Sequence, residues 1–312
     1  MQHAIDPKVD CVFKALLGAE TNSALLIHFL NAILETDLSA PITAVEILNP
    51  YNEREFINDK LSIVDVKARD THGHLYQVEI QLLTHRDLLA RMIYAWADFY
   101  SGQLQSGNNY SQLKPTYSIW LLNENVLRNI PEYAHNLRLR DAQGRCFLDH
   151  GGIWLLELNK FQIERIENEQ QRWLKFFKEG EQLDTEQLPS WMHTNEMEQA
   201  MNTLKTFSEK DRAYHAYQAR QNYLRVQSCI QLDIEENRVA LEQTRVALEQ
   251  ERAAKEQERA AKEQAQLTAE QERTSADQAR LVAERERAAK EAALLEIAQL
   301  KAQLQDHGNS IK

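Results

Sequence analysis

The sequence predicts an α/β protein in which a mixed sheet is flanked by helices and a long α-helix ends the chain. Three observations carry that expectation. Two neighbouring apolar stretches alternate with period two on either side of Thr71-His72-Gly73, later apolar strands alternate with helix-period segments, and the residues after Ala240 repeat every seven positions with no Pro. At 312 residues and 43% hydrophobic, the chain exceeds a minimal module and holds enough apolar material for a core.

Residues 8–17 read as a short helix, and after Glu20 a second runs through Leu25, Leu26, Phe29, Leu30, Ile33 and Leu34, whose spacing puts one apolar face on a core. Ile42–Leu48 is a strand stopped at Asn49-Pro50, where a backbone donor is lost. Leu61–Asp70 and His74–Leu82 are two strands of a hairpin, and Gly73 suits the left-handed residue that closes a three-residue loop. From His85 to about Gln105 the residues Leu88, Leu89, Met92, Tyr94, Ala95, Trp96, Phe99 and Leu104 recur at helix spacing, giving a crossover helix. Thr116–Leu122 is apolar enough for a central strand, Tyr133–Leu139 reads as an outer one and Gly152–Leu158 as a third. The stretch 160–230 is rich in helix formers and is interrupted at Leu188-Pro189-Ser190. The expected divisions are an α/β core over 1–180, a helical support region over 181–231, the long charged Ala-rich helix or coiled coil over 232–306 and a flexible terminus at 307–312.

In the last segment the heptads Ala-Leu-Glu-Gln-Thr-Arg-Val, Ala-Leu-Glu-Gln-Glu-Arg-Ala and Ala-Lys-Glu-Gln-Glu-Arg-Ala follow one another from Ala240. Pairs such as Glu251 with Lys255 each add about 0.2–0.5 kcal/mol to a helix, and about 65 residues would extend roughly 100 Å. Val246, Ala253, Ala260, Leu267, Thr274, Leu281, Ala288 and Leu295 form a thin apolar stripe. A single charged helix and an alanine-rich coiled coil both satisfy it, and Leu294, Leu295, Leu300 and Leu304 favour association, hence a homodimer, near the end.

Net charge is −11, and both the first 231 residues and the last 81 are acidic, so neither part is a polybasic sleeve for nucleic acid. A local basic groove is compatible with that average. Cys11, Cys146 and Cys229 are far apart without metal-ligand spacing and read as reduced thiols. The opening lacks a basic stretch followed by an apolar one, and no window approaches 18 continuous apolar residues, so a soluble cytoplasmic protein with no membrane partner is expected.

Chemistry concentrates in the hairpin. A loop of 71–73 pairs Asp70 with His74, and therefore Asp65 with Glu79. Alternation places Lys67 on the face of Asp65 and Gln81 on that of Glu79, each about 6.8 Å further along its strand. Opposed acids repel and are costly to bury, but a hard divalent cation turns the penalty into ligation. Such an ion can activate water and neutralise a phosphoryl transition state, which suits phosphodiester cleavage. The same pattern also describes a solvent face, with the acids balanced by Lys67 and Arg69. The apolar flanks Ile63, Val64, Val66, Val78, Ile80 and Leu82 favour interior strands whose polar members have a purpose.

Several ordered blocks resemble the Rpn-type recombination-promoting nucleases, transposase-like members of the PD-(D/E)XK superfamily. They are Asp10-x-x-Phe13-Lys14 with Leu17-Gly18, Phe29–Leu34, Asp59-Lys60, Asp65-Val66-Lys67-Ala68, Tyr76-x-Val78-Glu79-Ile80-Gln81, Arg91-x-x-Tyr94, Tyr100–Leu104, Gly107-x-x-Tyr110 and Glu157–Phe161. The resemblance covers roughly residues 6–180. It implies a restriction-endonuclease-like fold for 1–180 and Mg²⁺-dependent (or Mn²⁺-dependent) hydrolysis of DNA. Asp65, Glu79 and the Ile80 backbone carbonyl match its metal-binding groups. Gln81 stands where the superfamily usually has Lys, and a neutral amide can orient water or phosphate but supplies no charge; Lys67, on the facing strand, could supply it. Asp10 and Lys14, one helical turn apart, and Arg91 and Tyr94, on one helix face, match accessory positions, although each pair could equally be ordinary surface or packing residues. The competing expectation is a non-catalytic DNA-associated or assembly protein that works through its long helix.

Overall fold

A computed structural model describes residues 3–49, 65–84, 86–146 and 149–309. The expected strand portion Leu61–Val64, the Asp59-Lys60 block and the expected helix start at His85 lie outside the described residues. Met1–Ile230 form one compact unit and Gln231–Lys312 a second.

In chain order the elements are helices α1 (Asp10–Leu17) and α2 (Ser23–Leu34), strands β1 (Val45–Leu48), β2 (Val66–Asp70) and β3 (Leu75–Gln81), helix α3 (Leu88–Ser101), strands β4 (Thr116–Leu122), β5 (Ala134–Leu137) and β6 (Gly151–Glu157), and helices α4 (Glu169–Glu179), α5 (Asn195–Glu209) and α6 (Asp211–Asn309). The strands form one six-stranded sheet in the order β1-β2-β3-β4-β6-β5. β3, β4 and β6 run parallel, while β1, β2 and β5 join antiparallel at the two sides. The mixed α/β fold flanked by helices, with a long C-terminal helix, is the expected fold class.

The β2–β3 hairpin has the register its loop length dictates: Val66 faces Val78, Lys67 faces Gln77 and Ala68 faces Tyr76. Gly73 closes the turn at φ +85°, a left-handed conformation that side chains with a Cβ rarely adopt. Asp70 fastens the same turn, its Oδ1 accepting from the backbone N–H of His72 at 2.9 Å and of His74 at 2.8 Å.

Alternation splits the strands between two layers. On one face Val66, Ala68, Tyr76, Val78, Ile80, Ile119, Leu121 and Leu156 pack into a core with α1, α2, α4 and α5. On the other, Trp120, Leu122, Ile153 and Leu155 meet Leu88, Met92 and Ala95 of α3, the crossover between parallel β3 and β4. The first core is centred on aromatics: Phe29 meets Trp173 edge-on at 5.5 Å, and Phe13 lies 5.5 Å from Phe177. α4 begins where the Asn168 side chain accepts from the Gln171 N–H, and α5 where Thr194 accepts from Met197.

Two expectations change. The final helix begins at Asp211, well before the heptads, because Tyr217 anchors its first turns: Tyr217 is 2% exposed and its hydroxyl accepts from the Asp6 N–H at 3.0 Å. Tyr94, counted among the inward-facing residues of α3, is 46% exposed, since the stripe that faces the sheet is Leu88, Met92 and Ala95. From Leu232 to Lys301 every described side chain is exposed. Among the described residues no helix is long and apolar enough to cross a membrane.

The packing sets a stability contrast. Phe177→Ala is expected to cost about 3–5 kcal/mol by cavity formation, whereas Leu241→Ala in the exposed helix should stay within ~0.5 kcal/mol. All five tryptophans precede residue 231, so denaturant unfolding followed by tryptophan fluorescence reads this unit alone. Equal midpoints for the two variants would contradict the assignment of the core.

Candidate active site

β2 and β3 deliver their acids to one place, at the C-terminal end of β3. Asp65 directly precedes β2 and continues its register opposite Glu79. The two are locked reciprocally: the Asp65 N–H donates to Glu79 Oε2 at 3.1 Å, and Asp65 Oδ2 accepts from the Ile80 N–H at 2.9 Å. Neighbouring N–H and C=O groups of one antiparallel residue face the same side, so the Ile80 carbonyl opens toward the edge its N–H marks. Ile80 lines the cavity there.

Each acid also takes a cation from a different layer. Lys14 of α1 brings Nζ to 3.3 Å from Asp65 Oδ1, and Arg91 of α3 brings Nη2 to 2.6 Å from Glu79 Oε1. The second arm of Arg91 donates to Gln81 Oε1 at 3.2 Å, while Gln81 Nε2 donates to the Leu83 carbonyl at 2.7 Å. Arg91 further lies 5.5 Å from the Trp120 ring, a cation–π contact that fixes its plane. Asp10 does not pair with Lys14; its Oδ1 accepts from Arg220 Nε at 3.0 Å.

These groups surround a cavity of about 280 Å³ lined by Lys8, Asp10, Lys14, Asp65, Glu79, Gln81, Arg91 and Arg220, together with Tyr223, Leu224 and Gln227. Its four bases exceed its three acids. A chain of net charge −11 therefore presents a locally positive recess.

Burial, and then the nearby Asp65 charge, push the Glu79 carboxyl up to about 8, against the opposing pull of Arg91 and the Asp65 N–H. Asp65 is raised as well, first by burial, with the Ile80 N–H and Lys14 opposing. Two acids that resist ionising together call for more positive charge than two side chains provide. Among the described residues no three His, Cys, Asp or Glu side chains come together as a metal cage. Two carboxylates and a backbone carbonyl are nonetheless hard oxygen donors, the set a magnesium-sized ion takes when water or substrate fills its other positions. The residues present fit such an ion.

Of the residues singled out from sequence, Asp65, Glu79, Ile80, Gln81, Asp10, Lys14 and Arg91 line this cavity. Lys67 and Tyr94 are not among its lining residues. Lys67 shares the β2 face of Asp65, but its Nζ lies over the Phe99 ring, 5.0 Å from its centroid. Burial lowers its ammonium pKa, opposed by Asp98. Arg69 lies 3.8 Å from Glu46, so neither expected counter-charge balances the acid pair. Missed altogether were Lys8 and the α6 residues Arg220, Tyr223, Leu224 and Gln227. Their numbers follow i, i+3, i+4, i+7, one face of a helix, which was the available signal.

A six-stranded mixed sheet flanked by helices, with a long C-terminal helix, is consistent with the PD-(D/E)XK nuclease fold. Consistent with that class, the model of the PD-(D/E)XK nuclease family transposase matches residues 7–233, and the chain belongs to this family. The match extends beyond residue 180 and takes in α5 and the first turns of α6. Nothing matches the chain among curated proteins or among solved structures.

The raised Glu79 carboxyl has a pH signature. Between its ordinary value of 4.5 and about 8 the folded chain keeps a proton that the unfolded chain has lost, so this contribution to stability is full below 4.5 and disappears as pH rises through 8. In chelator, the thermal midpoint of the wild type should fall relative to that of Glu79→Gln as pH goes from 5 to 8. Parallel profiles for the two proteins would show that Glu79 does not titrate in this window.

Proposed function

We propose that the chain is a divalent-metal-dependent endodeoxyribonuclease, with Mg²⁺ as the ion and Mn²⁺ able to replace it. The observation that carries this reading is the reciprocally locked Asp65–Glu79 pair inside a recess of net positive lining. Asp65, Glu79 and the Ile80 carbonyl would hold the ion. When bound, it supplies an activated water and neutralises charge developing on the phosphoryl oxygens.

The chain's own residues do the rest. Once the carboxylates are shared with an ion, Lys14 and Arg91 are positioned to accept a phosphate as their second anionic partner, Arg91 through a planar fork. Gln81, held by Arg91 and by the Leu83 carbonyl, orients water or a phosphate oxygen and cannot take the proton. Asp10, Asp65 and Glu79 are the cavity's carboxylates able to accept it. Attack forms the new P–O bond from water and breaks the bond to the 3′ oxygen, which takes a proton from solvent as it leaves to become the 3′ hydroxyl, giving a 5′-phosphate end. Lys67, packed on Phe99, would act only by steadying β2 against α3. Tyr94, outside the cavity, has no part in this scheme.

One further observation supports an assembly role beside catalysis. Val246, Leu248, Leu267, Leu281, Leu294 and Leu295 are all exposed along α6, and covering them in a homodimer would remove apolar surface from water. With DNA as its substrate, the chain would work in the cytoplasm.

Supercoiled plasmid incubated with Mg²⁺ should be nicked or linearised, EDTA should stop the reaction, and Asp65→Ala should slow it by more than the ~10–100-fold typical of residues that merely support a metal ligand. Equal cleavage by wild type and Asp65→Ala would reject the site. DNA binding without cleavage, together with a dimer in sedimentation, would favour the assembly reading.

A further inference from the structure

The face of α6 that lines the recess has no place in the hydrolytic scheme, yet it carries the cavity's fourth base. Arg220 is fixed at two points: Nε donates to Asp10 Oδ1 at 3.0 Å, and its guanidinium carbon lies 4.9 Å from the Tyr223 ring. A guanidinium has five N–H donors, and this one uses a single donor on Asp10. Among the described residues, its two terminal nitrogens have no hydrogen-bond partner, while the side chain is 39% exposed. A planar pair of free donors with a fixed orientation suits two oxygens of one phosphate. The base is also spare electrostatically, since Asp65 has Lys14, Glu79 has Arg91, and Asp10 meets only one edge of Arg220.

We infer that Arg220, held by Asp10 and Tyr223, is a substrate-binding residue that grips a backbone phosphate of the DNA strand entering the recess, so that the start of α6 is part of the nuclease site. This rests on the nuclease reading above. The contact is to the backbone, so it confers affinity and register without sequence preference.

The test is DNA binding by the full-length protein, followed by fluorescence anisotropy on two duplexes of unrelated sequence in Ca²⁺ over a KCl series. Arg220→Ala should weaken both complexes equally, by ~10- to 100-fold, and should lower the slope of log affinity against log salt by ~0.9, the value for one phosphate contact. Arg220→Lys should keep the slope, because the charge remains, and recover part of the affinity. Asp10→Asn, which keeps the Arg220 charge but loosens one of its two braces, should leave the slope unchanged and weaken binding less than Arg220→Ala does. If Arg220 only straps α6 to α1, then Arg220→Ala and Asp10→Asn will lower the unfolding midpoint alike and Arg220→Ala will keep the wild-type slope, which overturns the inference. A wild type that cleaves plasmid while Arg220→Ala binds as tightly as it does removes this inference alone. A wild type that neither binds nor cleaves removes the nuclease reading with it.

Discussion

Two carboxylates facing each other across a hairpin would, left alone, push the strands apart. Here Asp65 and Glu79 are kept together because each accepts a backbone N–H from the other's strand and a cation from a separate helix. Both carboxyls are nonetheless raised, first of all by burial. A packed core fixes their positions: Val66, Val78 and Ile80 are buried beside them, and Trp120 sits under Arg91. A rigid sheet that holds two buried acids side by side is the preorganisation on which the proposed cation site depends.

The layered architecture explains how so much charge reaches one spot. The acids project on the α3 face of the sheet, whereas Lys14, Asp10 and Arg220 belong to helices packed from the opposite side. They meet only because the site lies at a strand end, where β2 has just begun and β3 is finishing. Open α/β sheets commonly bind ligands beyond the carboxyl ends of their parallel strands, since backbone groups there are no longer committed to the ladder. The Ile80 N–H illustrates this, having a carboxylate for its acceptor.

What the sequence made legible follows from locality. Loop length and strand period determine a hairpin's register, so the opposition of Asp65 and Glu79 follows from the sequence, as does the left-handed turn residue Gly73. Alternation decides a residue's face but not which way a long side chain leans along the strand. Lys67 therefore shares the expected face and yet ends over Phe99, eleven residues beyond Leu88, the first buried residue of α3. Pairings between helices distant in sequence were not legible either. Asp10 and Lys14 invite an intrahelical bridge at i, i+4, but each instead takes a partner in the recess, Lys14 one 51 positions away and Asp10 one 210 positions away. The start of α6 was hidden for the related reason that its recess-lining face mixes Arg, Tyr, Leu and Gln, which no hydrophobic periodicity reveals.

Gln81 shows how the recess accommodates a neutral residue at the strand position where a lysine would be expected from the resemblance. A lysine there would add its ammonium directly from β3. With glutamine, the positive charge arrives one layer out, through Arg91, whose two arms bridge Glu79 and Gln81. The exchange alters more than location. An ammonium is a compact, rotatable point charge, whereas this guanidinium is planar, braced by Trp120 and bonded at both ends. The amide completes the brace by fastening its other end to the Leu83 carbonyl. Glutamine thus works as the strut that aims an arginine, and its neutrality is what permits that arginine to approach.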